Sequence, residues 1–487
     1  MAAALLVVAL TVVTTPTALA FPAVATVDIN IGTGGSTAMW TAGVLGDQLL
    51  FGADNGTHGY ELWGTTVTNT GAIPVKDVRP GPDTSGPSEF TLFGSYLYFS
   101  ADDGVHGREL WRTDGTETGT ALVKDVYAGA DGSFPTYLTR VGASLYFVAS
   151  DGVHGQEVWM TDGTTNGTVL AADLNISSAG ANSDPAYLYA FNGSLWLQAN
   201  DGASGAELWS ISGTTPTLYD LHAGPLSSYP RDFASLGDSS MFFQAYEQTH
   251  GTELWRTDGS AAPALFADIA VGNNDSGPTG FTEVNGILYF SARTDAEGNE
   301  LWSTNGTAAS LLVDIAPGSD SSNPEEFTAY GSALYYSAEI ASDRELHRWN
   351  GTADQLVEEI NLSGSSSPYS LVVVGDALYG VASDGPSTGL FRYLESTDSL
   401  SFFIAPGTNS FIGCMCSPLL KTLGGRVYAP ALNDEMGFEY LYLDEPTYVL
   451  PETSREASAW TVVLATAAAL FAAAGVILHL RKGANAR

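Results

Sequence analysis

Disulfides can hold little of this chain together. Its two cysteines, Cys414 and Cys416, stand two residues apart, and a bridge between such close neighbours would be strained and would staple nothing distant. Stability must come from packing, for which 44% hydrophobic residues and ten Trp supply the material. Positive charge is scarce as well. Eighteen Lys and Arg face 54 Asp and Glu, only four of the eighteen are Lys, and the formal net charge is −36. Such a surface repels phosphate backbones and anionic lipid, which excludes nucleic acid as a partner and fits solubility in salt or attraction of cations. Helices are missing too. Between the two chain ends, 54 Gly and 22 Pro interrupt every stretch before a helix could nucleate. No Gly-x-Ser-x-Gly elbow, His-Glu-x-x-His helix or phosphate loop occurs, so no catalytic residue is assigned.

What is present is repetition. Glu109-Leu110-Trp111-Arg112-Thr113-Asp114-Gly115-Thr116 returns as Glu253-Leu254-Trp255-Arg256-Thr257-Asp258-Gly259-Ser260. Further copies start at Glu61, Glu157, Glu207 and Glu300, a worn one at Glu345, and echoes at Leu390-Phe391-Arg392 and Glu439-Tyr440-Leu441. That makes nine units, with Glu-to-Glu steps of 48, 48, 50, 46, 47 and 45 residues over the first seven. A period in the forties marks a supersecondary module that buries its faces against its neighbours. In the second unit, residues 89–93, 96–101, 109–113 and 121–126 are aromatic and β-branched runs bounded by turn residues. Asp114-Gly115 suits a tight hairpin. The expected fold is all-β: a single β-propeller of four-stranded antiparallel blades, eight or nine in number, over residues 21–447. A motif present in every unit reads as scaffold, so Trp63, Trp111, Trp159, Trp209, Trp255 and Trp302 should be buried between blades.

The connectors recur as well. Asp77…Gly81…Ser85…Pro87 has the spacing of Asp125…Gly129…Ser133…Pro135, and the pattern returns from Asp220, Asp268 and Asp314. Val27-Asp28-Ile29-Asn30-Ile31-Gly32 looks like a connector without the strands that should precede it. The last unit, read at 419–423, 426–431 and 438–443, lacks a fourth strand. Pairing of residues 26–31 with 438–443 would latch the ring and remove two unpaired edges.

The Glu-Leu-Trp-x-x-Asp-Gly-Thr signature resembles that of the ELWxxDGT-repeat proteins, a group of secreted or surface proteins. The resemblance spans roughly residues 27–443. It implies a propeller-like fold and no established enzymatic activity. Glu345-Leu346-His347 departs from the pattern by lacking the Trp in place, and the last two units lose most of the signature.

The two ends read differently from the repeats. Residues 1–20 form an apolar run closing on Ala18-Leu19-Ala20, the pattern of a secretory signal peptide. After a short stalk, 448–459, residues 460–480 carry no charge and are long enough to cross a bilayer as one transmembrane helix. Arg481, Lys482 and Arg487 would keep the tail, 481–487, cytoplasmic and the propeller outside the cell. Leu450-Pro451-Glu452-Thr453 is similar to a cell-wall sorting signal with Ser454 in the place of Gly, which makes wall anchoring the alternative.

Three sets of side chains are candidates for chemistry. His58, His106, His154 and His250 each fall three residues before the signature Glu. Blades hold them too far apart to share one ion, and a hydrogen bond across the loop, to the following Glu, is the expected role. Asp77 with Asp83, Asp125 with Asp131, and Asp314 with Asp320 place two acids on one Gly/Ser-rich loop. There backbone carbonyls could complete a calcium shell, or the first Asp could simply cap its turn. Calcium is thus the only cofactor in view. Sequons at Asn55, Asn166, Asn175, Asn192, Asn274, Asn305, Asn350 and Asn361 read as surface turns open to N-glycosylation. The function this implies is non-enzymatic: a cell-surface propeller for recognition or adhesion, taking an extracellular glycan, protein or matrix ligand. An extracellular carbohydrate hydrolase or lyase and a structural coat component are the alternatives. Departures from the repeat that converge on one spot would reveal the site.

Overall fold

The structure, a computed structural model, describes residues 24–27, 37–68, 71–403, 420–433 and 437–444. The expected signal peptide, stalk, transmembrane helix and tail, the segment 450–454 and both cysteines lie outside these residues. Among the described residues no helix is long and apolar enough to cross a membrane.

The second unit shows how a repeat folds. Ser88–Phe93, Tyr96–Asp102, Arg108–Thr113 and Ala121–Lys124 pair antiparallel in that order. Leu97, Tyr98 and Phe99 are buried one after another, although alternate side chains of a strand point to opposite faces. Both faces are therefore covered, because the sheet lies between two others. Leu110 packs with Phe147 and Trp159 of the next unit, and Trp111 with Leu50 and Leu62 of the preceding one.

Eight sheets are built in this way from four consecutive strands each. A ninth combines Val24–Val27 with Lys421–Leu423, Arg426–Asn433 and Gly437–Asp444. The first strands of successive sheets touch one another from Thr37–Leu45 through Tyr369–Val374, whereas fourth strands hardly meet. First strands are thus innermost and fourth strands outermost, as in a propeller. Leu423 and Tyr428 of the ninth sheet share a core with Leu49, Phe51 and Trp63 of the first. Leu420 and Val427 share another with Tyr379 and Leu390 of the eighth, so packing runs round the ring and closes it.

The latch forms between the expected segments in a different register. Val24, Ala25, Thr26 and Val27 pair with Leu443, Tyr442, Leu441 and Tyr440. The strand begins two residues before the expected 26–31, and residues 28–31 lie outside the described set. The inner strands of the first eight sheets also carry a feature that periodicity does not reveal. Thr136 pairs with Val148 and Thr139 with Tyr146, so two residues oppose one and the strand bulges. The same shift recurs in the inner pair of each sheet from the second to the eighth, and in the first sheet three residues, 39–41, oppose one.

Candidate functional site

The signature Glu is a structural anchor. Glu109 accepts hydrogen bonds from the backbone of Val126 (3.1 Å), Tyr127 (3.1 Å) and Ser133 (2.9 Å), and from Ser133 Oγ (2.5 Å). Glu61, Glu157, Glu207, Glu253, Glu300 and Glu345 hold their connectors in the same way through Ser85, Ser183, Ser228, Ser276, Ser322 and Ser366. All seven are buried. Burial raises their carboxyls, and the hydrogen bonds offset only part of that rise. Glu157 is pushed up to about 7 by burial, with the charge of Asp173 adding to it. A carboxylate with its oxygens engaged by the connector in each of seven units is occupied by the fold. The signature Trp side chains are buried at 63, 111, 159, 209 and 255, with Trp302 partly so.

The loop histidines act locally, with a partner other than the one expected. His106 Nδ1 meets Asp103 Oδ2 at 2.7 Å, and His154 meets Asp151 at 2.7 Å. His250 is paired with Glu247 and His58 with Asn55. The partner lies three residues upstream, because the following Glu turns inward to its connector. The hydrogen bond to Asp103 raises His106. Burial works against Asp103, but bonds from the His106 backbone and ring and from Val105 hold its carboxyl below the usual range. These loops close against the connectors. A Cβ on Gly107, where φ is +69°, would stand 2.5 Å from the Gly132 nitrogen.

Among the metal candidates, Asp125 Oδ2 accepts from Gly129 N at 3.4 Å and Asp314 Oδ2 from Gly318 N at 3.1 Å, each capping its turn. Asp77, Asp131 and Asp320 are exposed, and Asp83 faces Arg79 Nη2 at 3.5 Å. The three-acid group assembled among the described residues is another one: Asp343, Glu345 and Glu359, with ligating atoms within 4.8 Å of each other. A hairpin shortened to Ala341-Ser342 brings Asp343 there, and Glu345 is already the anchor of its unit. Two sequons are corrected. Asn175 and Asn361 are 8% and 7% exposed, and their amide nitrogens donate to the carbonyls of Asn182 and Ser365. Asn166, Asn192, Asn274, Asn305 and Asn350 are exposed and Asn55 is half-buried.

Where the repeat fails is the inner rim. The second residue of the inner strand is Glu89, Tyr137, Tyr187, Asp232, Gly280, Glu326 or Ser370 from the second unit to the eighth, with φ of 54–71° throughout. The bulge imposes this left-handed backbone whatever the side chain. Tyr137 N donates to Glu89 Oε2 at 2.9 Å and Ser370 N to Glu326 Oε2 at 2.8 Å, so a Glu here reaches the same position in the next unit, whereas the shorter Asp232 is held by Gln244 of its own unit. Tyr137 and Tyr187 are exposed on one arc, with Phe134 and Tyr229 exposed in the loops that lead inward. Asp232, Glu283, Glu325 and Glu326 follow on the other. Gly280, lacking a side chain, leaves a notch of about 370 Å³ between Asp232 and Glu326, floored by Phe233, Phe281 and Phe327. Burial raises the Glu326 carboxyl although solvent reaches it, as expected on a concave wall.

No family model matches the chain, and no curated protein matches it. Solved structures do. A Mycobacterium tuberculosis puromycin-hydrolyzing peptidase is 13% identical, with a TM-score of 0.36, over 71% of this chain and 57% of that one. A prolyl endopeptidase is 9% identical, with a TM-score of 0.41, over 73% and 54%. The β-propeller domain of the trilobed protease from Pyrococcus furiosus is 7% identical, with a TM-score of 0.33, over 65% and 96%. The chain thus spans little more than half of the first two. These neighbours are peptidases, and the expectation of a non-enzymatic recognition or adhesion propeller, with its glycosidase and coat alternatives, is corrected on that finding. At these identities the likeness assigns no residue and no reaction.

Proposed function

We propose that this propeller is the peptide-engaging module of a protease-like protein, which holds an extended peptide at its central opening. The observation that supports the reading is the inner rim. The anchor Glu is alike in the first seven units and the Trp in the first six, while the rim divides into an aromatic arc at Tyr137 and Tyr187 and an acidic arc from Asp232 to Glu326. An extended peptide presents apolar and cationic groups on opposite sides of one backbone, and the two arcs complement both. The reading assigns binding, not bond cleavage, to the ring. His106 and His154 are engaged by Asp103 and Asp151 and His222 by the Ser227 carbonyl, whereas peptide cleavage by a nucleophile calls for an imidazole that faces a Ser or Cys side chain.

Titration of the full chain with C-terminally amidated decapeptides that alternate Phe and Lys tests it. Micromolar binding that weakens at least tenfold in Tyr137→Ala/Tyr187→Ala or in Asp232→Asn/Glu326→Gln is expected. Unaltered binding in both variants would overturn it. The proposal includes membership of the ELWxxDGT-repeat group and display outside the cell on residues 460–480, which membrane fractionation and detergent extraction would test.

A further inference from the structure

The connector between the fourth and fifth sheets carries three departures from its counterparts at once. Leu226 stands where the first, second and sixth connectors place Asp83, Asp131 and Asp320. Tyr229 stands where others carry Gly86, Phe134, Asp184 or Asn323, so that only the second connector matches it in being aromatic, and Arg231 stands where others carry Ser88, Thr136 or Glu325. A fourth change lies beside them. The pair that is Arg79 with Asp102 at the first connector, a salt bridge of 2.8 Å, is here His222 with Tyr246, ring edge to face at 5.2 Å.

These residues line one cavity of about 380 Å³ at the start of the inner strand Arg231–Leu236. Leu226 and Tyr229 are 55% and 54% exposed there, an apolar pair facing the cavity. Tyr229 also keeps a φ of +48°, a conformation that glycine adopts at two equivalent positions. His222 is buried and its Nδ1 faces the Ser227 carbonyl at 3.4 Å. Arg231 is one of only 18 basic residues in the chain. Among the described residues its ionic partner is Asp232, Nε to Oδ2 at 3.9 Å, longer than a hydrogen bond.

We infer that this cavity is a binding site for an apolar or aromatic residue bearing a free α-carboxylate, the C terminus of a peptide. The inference rests on the peptide reading above for its occupant. The guanidinium takes the carboxylate in the two-point geometry that Arg favours. Leu226, Tyr229 and Tyr246 cover the side chain, and the acid that three other connectors carry at the position of Leu226 is absent, so that carboxylate does not repel the ligand. The cavity is large enough for one amino-acid residue and not for a folded partner.

Calorimetric titration of the full chain with N-acetyl-L-phenylalanine and with N-acetyl-L-phenylalaninamide decides it. The acid should bind, and the amide at least tenfold more weakly. Arg231→Gln should bring the acid down to the level of the amide, and Leu226→Asp should abolish binding of the acid while leaving the thermal melt in place. Equal affinity for acid and amide, no effect of Arg231→Gln, or no binding of the acid would each overturn the inference. The amidated decapeptide keeps the two readings apart. If it binds and N-acetyl-L-phenylalanine does not, the cavity site fails and the rim stands. If only N-acetyl-L-phenylalanine binds, the cavity stands and the rim reading fails.

Discussion

The connector that leaves the second unit and the one that leaves the fourth have the same anchor and opposite surfaces. Ser133 gives its backbone nitrogen and hydroxyl to Glu109 at 2.9 and 2.5 Å, and Ser228 gives both to Glu207 at 2.7 and 2.6 Å. Around the first stand Asp131, Phe134 and Thr136, and around the second Leu226, Tyr229 and Arg231. The backbone is held from beneath by a buried carboxylate, so it does not depend on the side chains above. Those positions are free to become a site without cost to the ring.

Breaking the anchor should be the largest effect and should be alike in both units. Glu109→Ala or Glu207→Ala strands several buried donors and is expected to cost about 3–5 kcal/mol in denaturant unfolding. Trp111→Ala should cost about as much by opening a cavity. A loss confined to one unit would break the equivalence of the two.

The next effect is one of pH. A buried carboxyl raised to about 7 binds a proton in the folded chain where the unfolded chain, near 4.5, has lost it. Stability should therefore fall as pH rises from about 4.5 to 7, by at most about 3 kcal/mol for Glu157. The sign reverses for Asp103 and Asp151, held below their usual 3.8, whose contribution is lost as pH falls through and below that value. Melting midpoints at pH 5 and pH 8 check the first effect, which Glu157→Gln should reduce while the six other anchors keep their share, and midpoints at pH 2 and pH 5 check the second.

The smallest effect on stability sharpens the comparison most. Moving the fourth connector's surface onto the second, by Asp131→Leu, Phe134→Tyr and Thr136→Arg, should change unfolding by roughly 0.5 kcal/mol per site or less. The variant should gain weak binding of N-acetyl-L-phenylalanine in the same calorimetric titration. Stable folding without any gain would show that His222 and Tyr246 are needed as well.

Strands and buried Trp positions were legible because each rests on a local rule repeated many times: alternation bounded by turns, and one Glu-Leu-Trp at a nearly fixed step. The rim was not. Tyr137 and Glu326 sit in left-handed backbone that the bulge imposes, and nothing in either side chain signals it. Asn175 and Asn361 satisfy the sequon pattern, yet each folds inward because its amide completes its own connector. The His partner was misread for a related reason. Glu109 was already committed to Ser133, a contact 24 residues away that no local spacing displays.

The composite ninth sheet sets an order of events during synthesis. Eight sheets draw their four strands from one continuous stretch and can pair as each stretch leaves the ribosome. Val27 must wait for Tyr440, 413 residues later. At about 5–20 residues per second that is roughly 20–80 s in which the first strand made has no partner. The ring is therefore the last thing to exist. Until its final strand arrives the chain is an open arc with two bare edges, and that interval, more than any weakness of the finished disc, is when it is most exposed to pairing with another copy of itself.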